Sequence, residues 1–315
     1  MGNKKAVKMP FIKWSGSKRK QAPHIVSKFP TDIDTYYEPF VGGGSVMYEL
    51  MRQIDDGSIR CQHIVCSDLN KDLIDIWNMF KNPTTRKMLY EYYCDMYRRL
   101  RERAGLNDGE AFTNEHVRKA QTLFYETRER FNSLPSDHEL RPFMFYWLMR
   151  TSFNGIVRYN KKGHFNSPFH VGGRLGINPT ELKVVFDSWG RLFDNADITF
   201  INDSYENVLT NAKTGDLVYM DPPYAKIGGL YFADGFDEDT FWNVLRDMNG
   251  KGVRWLLSYD GISGDDDLTS ETIPKDLYIH HEYVESGQSS FKKLASGRTG
   301  VKNKDVLKDS LYTNF

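Results

Sequence analysis

The apolar run LVYM (217–220) is followed at once by Asp221, Pro222, Pro223 and Tyr224. A buried strand cannot continue through two prolines, because each lacks the N–H that a ladder requires. The break places a carboxylate, free carbonyls and an aromatic ring at a strand's carboxyl end, where open α/β sheets bind their ligands. A carboxylate and a carbonyl both accept hydrogen bonds from an exocyclic NH₂, and Tyr224 offers a face on which a base stacks. An aromatic amine is a poor nucleophile, since its lone pair is delocalised into the ring. Holding both of its N–H groups in a tetrahedral arrangement turns that lone pair out of the plane, towards an activated methyl group. Such stabilisation belongs to the transition state and needs no covalent intermediate. The plainer reading of the same residues is a turn at a strand end. None of Cys61, Cys66 and Cys94 follows a proline, which argues against methylation of cytosine C5 through a thiolate adduct.

A second constellation is YYEPFVGGGSV (36–46), read as a strand, a glycine-rich turn and a helix. Gly42, Gly43 and Gly44 let a ligand approach the backbone, and the helix start at Ser45 presents free N–H groups. Asp68, 24 residues beyond Gly44, ends the next strand, where an acid accepts both hydroxyls of a ribose. The glycine spacing is not that of a dinucleotide fingerprint, so a smaller nucleoside is expected and a nicotinamide enzyme is disfavoured.

The elements that position these groups alternate. Strands are read at 35–40, 63–68, 197–202, 217–220 and 254–259. Helices are read after Gly44 and at 68–80, 204–211 and 238–249, which gives a mostly parallel α/β sheet. The centre breaks the rhythm with long polar helices at 83–104 and 110–132, an aromatic run at 141–153 and a Gly- and Asn-rich loop to about 175. The expected domains are 1–78 with 176–315, split by a helical insertion at 79–175.

Net charge is zero, but it is unevenly spread. Residues 79–175 carry 17 Lys and Arg against 10 Asp and Glu, and 140–180 hold no acid. A second acid-free basic stretch is SGQSSFKKLASGRTGVKNK (286–304). Two such runs favour a polyanion partner over merely solvated loops. No apolar run approaches a membrane span; the densest is FMFYWLM (143–149). The start resembles no secretory signal, the three cysteines have no metal spacing, and a reducing cytoplasm is the expected location, with no metal.

Taken together and in order, several motifs resemble the Dam-type, D12-class adenine-N6 DNA methyltransferases over almost the whole chain. They are FIKWSGSKRK (11–20), EPFVGGGSV (38–46), SDLNKDLIDIWN (67–78), FNGIVRYNKKGHFNSPF (153–169), DPPY (221–224) and the closing LYTNF (311–315). The resemblance implies a Rossmann-like S-adenosylmethionine-dependent methyltransferase sheet with a helical target-recognition insertion. It implies S-adenosylmethionine as cofactor, held by Trp14, Gly16, Lys18, Phe40, Gly42, Gly43, Gly44, Ser45, Asp68, Asp203 and Asp221. Asp221 and the Pro222 carbonyl, with Pro223, would bind the target amine, and Tyr224 would stack on a flipped adenine. Phe153, Asn154, Arg158, Asn160, Lys161 and Lys162 would contact double-stranded DNA. The implied target is a short, GATC-like duplex motif. After NSPF the chain reads HVGGRLG where some members carry Arg-Tyr, which bears on whether the target is GATC itself. The expected protein is a monomer in a bacterial or phage-infected cell, and the family allows a cognate restriction endonuclease as partner. Cytosine N4 or RNA methylation and a catalytically silent DNA binder are the alternatives; Asp before Pro-Pro-Tyr favours adenine over cytosine.

Overall fold

The structure, a computed structural model, describes residues 10–106, 113–170, 176–223, 236–263, 266–267, 273–285 and 307–315. Tyr224, the segment 171–175 within HVGGRLG and the basic stretch 286–304 lie outside the described residues. The chain forms two compact units, one of 1–17, 42–44 and 70–196, the other of 18–41, 45–69 and 197–315.

The second unit holds the sheet. Its strands are β1 (Asp32–Glu38), β2 (Arg60–Ser67), β3 (Ile198–Ile201), β4 (Leu217–Met220), β5 (Arg254–Ser263), β6 (Asp266–Asp267), β7 (His280–Glu285) and β8 (Leu307–Thr313). They run in the order β3-β2-β1-β4-β5-β8-β7, and off this path β6 pairs with β5. From β3 to β5 all neighbours are parallel; β8 lies antiparallel between β5 and β7. This is a Rossmann-like sheet. The chain leaves β1 towards β2 on one side, and β4 leads to β5 on the other, so the switch point falls between β1 and β4. A crevice outside the carboxyl ends of the strands is expected there. All four residues of β4 are buried, as a central strand covered on both faces requires. One core of this unit joins Val218, Met220, Trp255 and Leu257 to Phe241, Trp242, Leu245 and Met248 of an amphipathic helix, Glu238–Gly250. Among the described residues three other helices belong to this unit: α1 (Ala22–Val26), α2 (Ser45–Asp55) and Tyr205–Leu209.

The first unit is helical: α3 (Lys71–Lys81), α4 (Pro83–Ala104), α5 (Asn114–Ser133), α6 (Arg141–Thr151) and α7 (Pro179–Asp194). In chain order Tyr205–Leu209 is then α8 and Glu238–Gly250 is α9. Helix α6 is the apolar run noted in the sequence, and every residue from Met144 to Thr151 is buried. A helix apolar on all sides belongs at the centre of a bundle, and no helix among the described residues is long and apolar enough to cross a membrane. Phe11 is fully buried within 6.0 Å of the Trp77, Phe80, Tyr146, Phe186 and Trp189 rings. Arg150 Nη1 donates to the carbonyls of Pro10 and Phe11 at 3.0 and 2.7 Å, fixing the segment that leads to Trp14.

These units run differently from the split expected at 78 and 175. Helix α3 and α7 pack with the helices. Trp77 of α3 stacks on Phe193 of α7, and Phe80 meets Phe186 edge-on at 5.2 Å. An amphipathic helix goes where its apolar stripe is covered, and these stripes are covered by aromatic rings.

Candidate active site

In the sheet unit the predicted residues gather at strand ends. Asp221 directly follows β4 and is partly buried, with Pro222 buried behind it. Lys18 is 8% exposed, and its Nζ lies 3.2 Å from Asp221 Oδ1. The same ammonium lies 2.8 Å from Oδ2 of Asp309 on β8, to which buried Gln21 also donates at 3.0 Å. Asp68 follows β2; Asn202 Nδ2 donates to its carbonyl and to that of Leu69, both at 3.0 Å, which shapes the turn that carries it. Ser45 opens α2. Phe40 packs on Tyr205, Phe236 and Phe241, so part of its ring belongs to the core. Asp203 follows β3, and its Oδ1 accepts from Ser204 N and Asn207 Nδ2, at 2.7 and 2.8 Å. The Asn207 amide and the Ser204 N–H hold its carboxyl below the usual range. The carboxylate thus serves the start of α8, whatever else it binds.

Glu38, at the end of β1, was not singled out in the sequence. It is buried, and its Oε2 accepts from the Tyr36 hydroxyl at 2.7 Å. Burial pushes its carboxyl up to about 8; the Tyr36 hydroxyl opposes the shift and the charge of Asp221 adds to it. The folded protein therefore keeps a proton that the unfolded chain loses near 4.5, and Glu38's contribution to stability falls as pH rises through that window. Glu38→Gln should gain on the wild type between pH 5 and pH 8.5, by on the order of a few kcal/mol in urea unfolding. A constant difference across that range would show that Glu38 ionises normally.

In the helical unit Trp14 lies against the glycine turn. A Cβ on Gly42 would stand 3.0 Å from Trp14 Cδ1, and one on Gly43 3.1 Å from Trp14 Cβ. Gly42 and Gly44 also have φ of +45° and +62°, a region that side chains disfavour. The glycines thus have a packing use beside the ligand approach read from sequence. Gly16 (φ +74°) is exposed in the turn after Trp14. Lys13, also not singled out, is lowered to about 8 by burial and then by the Arg150 charge.

The predicted reading loop is a short hairpin closed by bridges Ser152↔Phe169 and Tyr159↔Phe165. Asn154 (φ +52°) is exposed in a 3₁₀ turn, Phe153–Gly155, and Phe153 is partly buried near His170. Arg158, Asn160, Lys161 and Lys162 are exposed. Arg158 Nη2 donates to Asn166 O at 3.0 Å. Asn160 Oδ1 accepts from the N–H groups of Lys162 and His164 at 2.9 and 3.1 Å. This side-chain oxygen builds the turn, a use the sequence reading did not assign to it. Between Arg158 and Asn160, Tyr159 points the other way and donates to Asp72 Oδ2 at 3.0 Å.

The pattern of D12 class N6 adenine-specific DNA methyltransferases matches residues 14–288. A DNA adenine methylase of Serratia marcescens is 32% identical, over 92% of this chain and 95% of its own. The type II methyltransferase M1.LlaDCHI of Lactococcus lactis subsp. cremoris is 27% identical over 91% of each chain. The type II methyltransferase M.CviBI of Paramecium bursaria Chlorella virus NC1A is 25% identical over 92% and 94%. With this coverage, the chain belongs to the D12 class of N6 adenine-specific DNA methyltransferases, and it is an S-adenosylmethionine-dependent enzyme.

Proposed function

We propose that this protein methylates adenine N6 within a short sequence of duplex DNA, on a base turned out of the helix. The observation that carries the reading is Asp221 at the carboxyl end of β4, beside the switch point, with the buried Lys18 ammonium 3.2 Å away. Asp221 and the Pro222 carbonyl accept the two N–H groups of the target amine, and Tyr224 stacks on the extruded ring.

The chemistry of the residues fits the cofactor. Asp68 at the end of β2 suits a ribose, and the start of α2 offers N–H groups at Ser45. Lys18 between Asp221 and Asp309 leaves a local charge of −1, which suits a cation. When bound, S-adenosylmethionine supplies an electrophilic methyl group on a positively charged sulfur. Trp14, Gly16, Lys18, Phe40, Gly42 to Gly44, Ser45, Asp68, Asp203 and Asp221 are assigned to holding it. Asp221 carries the amine's hydrogen bonds through the reaction and is placed to take the proton that N6 releases.

Phe153, Asn154, Arg158, Asn160, Lys161 and Lys162 are assigned to DNA. Arg158 suits guanine O6 and N7. The turn bonds of Asn160 Oδ1 leave its reading of a base to the amide side of the group. If Arg158 reads a base, Arg158→Ala relaxes specificity at one position, and competition between matched and substituted duplexes shows it. A uniform loss on all sequences, with the salt slope lowered by about one, would mean a phosphate contact. A motif related to GATC, action as a monomer and a cognate endonuclease belong to the same reading.

Modification-sensitive sequencing of plasmid DNA from a methylation-free host expressing the chain tests the whole. N6-methyladenine confined to one short motif is expected. Modified cytosine, or unmodified DNA with soluble protein present, would overturn it.

A further inference from the structure

Asp309 lies 291 residues from Lys18 in the chain, on β8, and no motif described above includes it. It nevertheless makes the shorter of the two ion pairs of Lys18, 2.8 Å against 3.2 Å to Asp221. Gln21, 5% exposed, donates to the same Asp309 oxygen. The Lys18 backbone is fixed as well: its carbonyl accepts from the N–H groups of Gln21 and Ala22, both at 2.8 Å, at the start of α1. One buried cation thus sits between two carboxylates, drawn nearer to the one that the Asp-Pro-Pro-Tyr motif does not contain.

We propose that Asp309 is a positioning residue for methyl transfer, acting through Lys18; this rests on the role given above to Asp221. An ammonium hydrogen-bonded closely to Asp221 would draw charge from its oxygens and occupy a lone pair. Those are the properties with which Asp221 polarises an adenine amine. By taking the stronger bond, Asp309 keeps Lys18 near enough to hold the Asp221 carboxylate in place and far enough to leave it a good acceptor. Gln21 supports this by holding the shared Asp309 oxygen on the Lys18 side. With Asp309 neutralised, Lys18 closes on Asp221, and the amine loses its partner in part.

The test is a double-mutant cycle on the full chain, with methyl transfer to a duplex carrying the target site. Asp309→Asn should lower kcat by about tenfold and raise the Kd for S-adenosylmethionine by less than about threefold, as the local negative charge is lost, with the KM for DNA nearly unchanged; the larger loss then falls on the transition state. In a Lys18→Met background, which is itself slower, Asp309→Asn should change kcat by less than about twofold, because the residue acts only through Lys18. Asp309→Glu should recover part of the rate. Equal losses in both backgrounds, or a kcat of Asp309→Asn within about twofold of wild type, would overturn the proposal. Should Asp309→Asn fail to fold, Gln21→Leu serves instead. It is expected to lower kcat by about threefold, again only where Lys18 is present, and an unchanged kcat would equally overturn the proposal. Failure of the broader reading is separate: it shows as absence of adenine methylation by the wild type, or as activity retained in Asp221→Ala.

Discussion

Asp221→Ala is expected to lower methyl transfer by about a thousandfold or more while S-adenosylmethionine still binds measurably. Two things make this variant informative. In the proposed mechanism the carboxylate accepts an N–H of the target amine, an interaction that strengthens as N6 becomes cationic, so its loss falls on kcat rather than on ground-state binding. The substitution also spares the fold. Lys18 keeps its 2.8 Å pair with Asp309, so no buried charge is stranded. Isotopic methyl transfer to duplex DNA and calorimetric binding of the cofactor check the two halves independently. Turnover and cofactor binding lost in equal measure would remove Asp221 from the amine and make it a cofactor residue only.

Why some of this was legible in sequence and some was not follows from the range of the interactions. Strands β1 to β5 were readable from short apolar runs: central β4 is buried on both faces and appears as LVYM, while β3 at the sheet edge is buried on alternate residues. Asp221 and Asp68 were readable because they stand at the ends of those runs. Helix α7 is absent from the elements expected above, although its signals are local: Asn178 caps it, Pro179 follows, and Leu182, Val185, Phe186, Trp189 and Phe193 form its buried stripe. The resemblance assigns Asn160 to DNA, while its spacing to Lys162 and His164 equally permits the turn it makes. Asp309 had no local signal at all. Its meaning comes from a partner at the other end of the chain, brought near by β8 entering the sheet beside β5. Glu38 stood inside a motif already noticed, but only the fold shows that it is buried beside Tyr36 and Asp221.

The same distinction between motif and partner gives the largest expected effect on stability, at Asp72. Within SDLNKDLIDIWN, Asp72 lies in the first turn of α3, four residues beyond Asp68, and reads as a surface acid favoured there by the helix dipole. It is 7% exposed. Arg141, at the start of α6, grips it with Nε to Oδ1 at 3.1 Å and Nη2 to Oδ1 and Oδ2 at 3.0 and 3.1 Å. Arg141 Nη1 donates to the carbonyls of Phe131 and Leu134, both at 3.0 Å, and its guanidinium lies 4.0 Å from the Phe131 ring centre. Burial lifts the Asp72 carboxyl above its ordinary range even though Arg141 and the Tyr159 hydroxyl pull it down. Desolvation therefore outweighs the pairing, and the ion pair adds less stability than its geometry suggests. Removing one partner is another matter, since the Arg141 side chain, only 12% exposed, would be left without its counter-charge. Asp72→Ala should destabilise the protein by about 3–5 kcal/mol, read from urea unfolding. Pairing it with Arg141→Met should recover much of that loss, because no charge is then stranded. On the proposed role of this loop, the consequence extends to specificity. Tyr159 loses the acceptor that turns it inward, and Arg158 and Asn160 on either side lose their fixed direction. Tyr159→Phe isolates that part: it keeps the Asp72–Arg141 pair, should cost only about 1 kcal/mol, and should lower discrimination between target and altered sites more than it lowers kcat. A loss below about 1 kcal/mol for Asp72→Ala would mean that water reaches Arg141 and that the pair is dispensable.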